Sequence, residues 1–156
     1  MMHNWFLCKI RYEKTMENGM VKKVTESFLV DAFSHAEAEE RFIKEMEPFI
    51  SGEFTVSGIT PAKYSEVFFT EQESADRWFK FKVAFITIDE KNGMEKRNST
   101  NMLVQASDIR DAIKKLDEGM RGTMADYIIA SVAETAIWDV YPYEAESDVE
   151  PEFKEL

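Results

Sequence analysis

A chain of 156 residues, 44% apolar and 13% aromatic, has enough nonpolar side chain to build a core in one compact domain or two closely packed subdomains. Its formal charge of −11 disfavours general binding to the phosphate backbone, where Lys and Arg must displace counterions, and no apolar run approaches the ~18 residues of a membrane span. The lone cysteine, Cys8, excludes an intramolecular disulfide and fits a reducing, cytoplasmic setting, and the N-terminus lacks the basic, apolar and small-residue order of a signal peptide.

Residues 5–12 alternate as a half-buried strand does, with Phe6, Cys8, Ile10 and Tyr12 on one face and Trp5, Leu7, Lys9 and Arg11 on the other. Asn18-Gly19 then supplies a turn that tolerates positive φ, and a second strand follows at 23–32 with Phe28, Val30 and Ala32 inward. Ser34-x-x-Glu37 has the capping-box form and opens a helix whose apolar stripe is Ala38, Phe42, Ile43 and Met46, closed by Pro48 and Gly52. Two more stretches, 54–59 and 64–69, read as strands separated by Pro61, either distinct or one bent strand. A short polar linker, 70–75, ends this first half.

The second half repeats the first. Trp5-Phe6 returns as Trp78-Phe79 at an offset of 73, and Leu29-Val30-Asp31-Ala32 returns as Leu103-Val104-Gln105-Ala106 at 74, consistent with one residue inserted in the hairpin loop at Asn92-Gly93. Phe79, Phe81, Val83 and Phe85 form the inward face of the repeated strand. Asp108-x-x-Asp111 caps a helix carrying Ile109, Ala112, Ile113, Leu116 and Met120 as its apolar stripe. An offset of 74 is expected to continue, pairing Ser57 with Ser131, Ala62 with Ala136 and Tyr64 with Trp138. The expected fold class is α+β: a tandem duplication of a ββαββ unit, with antiparallel sheets, one helix packed on a face of each, and pseudo-symmetric halves. The divisions are 1–69, a linker at 70–75, 76–143 and an acidic mobile tail at 144–156, which carries six acids and one lysine.

Chemistry-bearing motifs are sparse. His3 and His35 are isolated from each other and from Cys8, so no ligand set with metal spacing exists, and no metal or cofactor is expected. Acids at Glu37, Glu39, Glu40, Asp108, Asp111, Asp117 and Glu118 fit helix starts and solvated helix faces. The sequence has no phosphate-cradling glycine loop, no nucleophile elbow and no cysteine with an activating histidine, so a noncatalytic protein is expected. The one unusual surface is the outer side of the first strand in each half, where Trp5 with Lys9 and Arg11 recurs as Trp78 with Lys80 and Lys82. Rings interleaved with cations suit single-stranded nucleic acid, because bases stack while Lys and Arg meet phosphates. The competing use of the same residues is packing, with Trp5, Leu7 and Leu29 as an apolar patch under lysine stems.

Several segments carry a family resemblance: Asn4-Trp5-Phe6, Cys8 to Lys14, Pro48 to Phe54, Asp76 to Lys80, Asn101 to Ala106 and Gly122 to Tyr127. Through them the chain, nearly to Tyr143, resembles a family of small uncharacterised proteins, a domain of unknown function, encoded by Bacteroides-type bacteria and their mobile elements. The resemblance implies a bacterial intracellular protein and no particular activity. The expected function is a noncatalytic binding or adaptor protein with a protein partner, acting off the membrane as a monomer or homodimer. Single-stranded nucleic-acid binding through Trp5, Lys9, Arg11, Trp78, Lys80 and Lys82 is the first alternative. An acidic mimic of nucleic acid is the second.

Overall fold

Alternation becomes two long hairpins, each backed by one helix. In chain order the elements are β1 (Trp5–Thr15), β2 (Val21–Asp31), α1 (His35–Met46), β3 (Phe54–Ala62), β4 (Glu66–Phe68), β5 (Arg77–Ile88), β6 (Glu95–Ala106), α2 (Ile109–Gly119), β7 (Asp126–Glu134) and β8 (Ile137–Tyr141). The structure, a computed structural model, describes residues 3–143; the acidic segment expected to be a mobile tail lies outside the described residues. Gly19 and Gly93 take φ of +85° and +68° in the hairpin loops, the left-handed conformation that the Asn-Gly pairs anticipate.

Both helix starts are built as the sequence predicts. Ser34 accepts from the Glu37 amide while the Glu37 carboxylate accepts from the Phe33 amide at 2.8 Å. Asp108 accepts from the Asp111 amide, and Asp111 accepts in turn from the Ser107 amide at 3.0 Å. The helix stripes then cover the expected strand faces, except that Ile109, expected in the second stripe, is exposed at the first position of its helix. In the first core Ala38, Phe42 and Met46 lie on Phe6, Cys8, Ile10, Phe28, Val30 and Ala32. In the second, Ala112, Leu116 and Met120 lie on Phe79, Phe81, Val83, Met102, Val104 and Ala106. Burying a side chain such as Phe42 or Phe81 contributes roughly 1.5–3 kcal/mol, so these stripes dominate the stability of each unit. Cys8 is one of these buried side chains, and burial pushes its thiol up to about 12, which leaves it an unreactive core residue.

The two halves are similar, as a duplication requires, but the last strand of each leaves its own half. The sheets run β3-β1-β2-β8 and β4-β6-β5-β7, with β8 parallel to β2 and β4 parallel to β6. The compact units are therefore residues up to Lys63 together with the segment from Ile137, and Tyr64–Ala136, whereas the sequence reading divides the chain at 69 and 76. Connection length supplies the reason. β2 and β3 both pair antiparallel to β1, so they run the same way, and a strand beyond β2 in that direction would need a return crossover of about a dozen residues or more. The chain has only residues 63–65 between β3 and β4. β4 consequently joins the other sheet.

Pairing also revises the internal alignment. Phe54 sits opposite Tyr12 and Tyr127 opposite Phe85, which restores an offset of 73 after the helices. A bulge skips Ser57 in β3 and Ala130 in β7 at matching places, so Ser131 corresponds to Gly58 rather than to Ser57. The expected pairs Ala62/Ala136 and Tyr64/Trp138 slip likewise, and Trp138 corresponds to Ser65 because Asp139 pairs with Phe28 as Glu66 pairs with Met102. The cause is one residue fewer between α2 and β7 than between α1 and β3; within a strand, such a slip turns every side chain to the opposite face. Pro61 does not break β3: it lies inside the strand opposite Phe6, tolerated because β3 is an edge.

Candidate functional site

The sequence-predicted strips keep their cations and lose their rings. Lys9, Arg11, Lys80 and Lys82 are exposed, while Trp5 is 4% and Trp78 2% accessible. The His3 ring stacks on Trp5 at 5.1 Å and Phe69 meets the edge of Trp78 at 5.6 Å. Neither indole offers a free face for a base. Lys9 and Arg11 sit on one strand, as do Lys80 and Lys82, and Arg11 lines an open polar cleft of about 600 Å³ beside Glu13, Lys23 and Glu53. Mixed charge of that kind does not hold a phosphate chain.

A different site appears where helix cover runs out. The strands of the first hairpin, at 11 residues, span roughly 37 Å, whereas the 12 residues of α1 span roughly 18 Å. Beyond Met46 the inward face of the sheet is left to the loop residues Phe49 and Ile50 on one side and to β8 on the other. Between them lies a cleft of about 240 Å³, walled by Tyr12, Phe28, Met46, Trp138 and Tyr141 and floored by Glu26, with Asp139 at its side. Trp138 is the residue inserted where the β2–β8 register shifts between Ser27 and Phe28, and it is 57% exposed; Phe49 is 76% exposed at the opposite lip.

The polar groups of the cleft form one chain. Tyr12 Oη donates to Glu26 Oε1 at 2.7 Å, and Lys14 Nζ donates to Glu26 Oε2 at 3.3 Å while lying 4.9 Å from the centre of the Trp138 ring. Glu26 is 9% accessible, so its carboxylate is buried with both oxygens partnered. Burial, and then the hydrogen bond and charge of Glu26, push the Tyr12 hydroxyl up to about 12. Burial also raises Tyr141 to about 12, helped by the charges of Asp139 and Glu45. The carboxylates of Glu26 and Asp139 give the cleft an acidic lining.

The second unit has no such residues at the matching places. Tyr12, Lys14, Glu26 and Trp138 correspond to Phe85, Thr87, Thr100 and Ser65. Phe68, in the place of Tyr141, lies against α2 at Gly119, where an added Cβ would come within 2.6 Å of the ring. The first unit carries Glu45 at that helix position, which prevents the same collapse. This site is not among the faces that look unusual in both copies. Its signal was the reverse, a set of positions where otherwise matching copies differ in polarity.

Another cluster in the first unit is a clasp. Buried Asp31 accepts from His3 Nδ1 and from the Asn4 amide, while Arg41 donates to the carbonyls of Asp31 and Pro142 and lies 4.7 Å from the Tyr143 ring. These bonds tie together the start of β1, the end of β2, the middle of α1 and the chain after β8. Among the described residues no group of His, Cys, Asp and Glu is placed to hold a metal ion, and no helix is long and apolar enough to cross a membrane.

Residues 4–143 match a family described as a domain of unknown function, DUF4494, and the chain belongs to that family. Comparison with curated proteins finds no match.

Proposed function

We propose that this member of the DUF4494 family is a noncatalytic binding protein whose partner docks in the aromatic cleft of the first unit. The observation that carries the proposal is the divergence of the two copies. Cores, caps and bulges repeat, whereas the positions lining the cleft change from a collapsed apolar contact to an open acidic one. Aromatic walls with a few fixed polar groups are the usual makeup of a recognition pocket, and exposed Trp138 and Phe49 are the residue types that anchor partners. The resemblance to proteins of Bacteroides-type bacteria and their mobile elements, together with the single buried thiol, supports a bacterial cytoplasmic setting.

Exchange of cleft residues for their counterparts tests this reading. A Trp138→Ser, Phe49→Thr double variant should fold and lose a partner that the parent protein captures, while Lys80→Asp, Lys82→Asp should retain it. The opposite pattern overturns the proposal and returns the function to the cationic strips. Exposed Lys9, Arg11, Lys80 and Lys82 sustain the nucleic-acid reading only in a form without stacking on Trp5 and Trp78. That form predicts a steep salt dependence and no quenching of those tryptophans by short single strands. The acidic mimic rests on the net charge of −11 and predicts a basic partner released by salt from every face rather than from the cleft.

A further inference from the structure

We infer that the cleft recognises a lysine side chain presented by a partner polypeptide, and that Lys14 is a built-in stand-in for it. The inference rests on the cleft being a binding site and names what it binds. An ammonium group already occupies the position: Lys14 Nζ is shared between the Glu26 carboxylate at 3.3 Å and the face of Trp138 at 4.9 Å. A carboxylate paired with an aromatic face is the arrangement that holds a desolvated alkylammonium, since the ring quadrupole and the anion attract the same charge. The rest of the cavity suits the aliphatic stem. Phe28 and Tyr141 offer apolar surface, and about 240 Å³ is below the usual size of a pocket for a drug-sized ligand and fits one side chain.

Charge settles the class of ligand. Glu26 and Asp139 line the cavity, and their charges, with that of Glu45 beside Tyr141, add to the burial that raises Tyr12 and Tyr141, so an anion is repelled. A neutral side chain would forgo the attraction and leave Lys14 in place. Lys14 is itself displaceable: its side chain is 40% accessible, so it can swing into water when a second ammonium enters. Lys14 therefore competes with the ligand and weakens its binding, while keeping Glu26 paired in the free protein.

The test follows the indole Nε1–H resonance of Trp138 during titration with three probes: acetyl-Gly-Lys-Gly-amide, the same peptide with norleucine for lysine, and n-butylammonium chloride. The lysine peptide should give a saturable shift and bind at least about tenfold tighter than the norleucine peptide. Lys14→Gln should tighten it several-fold, Trp138→Ser, followed through the Glu26 backbone amide instead, should abolish it, and salt should weaken it. Equal binding of the lysine and norleucine peptides overturns the cation assignment and leaves the cleft a binding site. Binding of n-butylammonium without the lysine peptide overturns the polypeptide source in favour of a free amine. No saturable shift with any probe in folded Lys14→Gln overturns both this inference and the cleft reading on which it rests.

Discussion

The two units share a plan and differ in one place, the end of the sheet that the helix leaves uncovered. In the second unit Phe68 fills that place against Gly119; in the first, Glu45 stands at the helix position, Tyr141 replaces the phenylalanine, and Tyr12, Glu26 and Trp138 surround the space that remains. A copied core tolerates little change because its volume is filled, whereas an uncovered end is free to diverge. The comparison thus separates residues that maintain the fold from residues available for recognition.

The strongest test of the shared plan is a charge placed in the core. Phe81→Asp should cost more than about 4 kcal/mol and unfold the second unit, because Phe81 is fully buried and has no partner for a carboxylate, while the neighbouring exposed Lys82→Asp should leave the urea midpoint nearly unchanged. Equal tolerance of both would mean that the strand faces are reversed.

The exchange of last strands is tested next. Val140 is buried on β8, so Val140→Asp should detach that strand at a cost of about 2–3 kcal/mol. Amide exchange should then rise in β2, to which β8 pairs, and remain slow in β6. Faster exchange in β6 instead would show that β8 belongs to the sheet of its own half.

Gly119→Glu places in the second unit the residue that the first unit carries. It should push Phe68 outward and destabilise the protein by about 1–3 kcal/mol, with greater solvent access at Phe68 by side-chain NMR. Unchanged stability and an unmoved ring would remove Glu45 as the reason that the first unit stays open.

The smallest effect is in pH. The Tyr12 and Tyr141 hydroxyls lie at about 12, above the unfolded value near 10, so the folded state holds these protons more tightly. The stability they contribute is complete below pH ~10 and is lost as pH rises through ~12. Phenolate absorbance should show a late-titrating component that Tyr12→Phe and Tyr141→Phe each reduce, and melting temperature should fall over the same window. The corresponding second-unit residues, Phe85 and Phe68, contribute nothing to it. Tyrosines that all titrate together near the free value would mean that the cleft neither buries these hydroxyls nor sets carboxylates against them.

Much of this molecule was readable from residues alone. Inward faces at Phe6, Cys8 and Ile10 and at Phe79, Phe81 and Val83 came from the alternation of period two, both helix starts from Ser34/Glu37 and Asp108/Asp111, and both hairpin turns from Asn-Gly. The alignment of the copies faltered after the helices because Ser57 and Ser131 are identical by type, while the matching bulges equate Ser131 with Gly58. The candidate surface at Trp5 and Trp78 was visible as residue types, but their cover was not, since alternation reports which side a ring takes and nothing about what lies over it.

Periodicity, capping and turn chemistry act over a few neighbouring residues, so the sequence by itself determined the hairpins, the helices, their buried stripes and the duplication. Only the tertiary structure decided where β4 and β8 pair, because a strand of three to five residues carries no side-chain code for the edge it joins and connection length excludes the nearer choice. It alone also decided the cleft, which brings Tyr12, Glu26, Phe49 and Trp138 together across four separate segments.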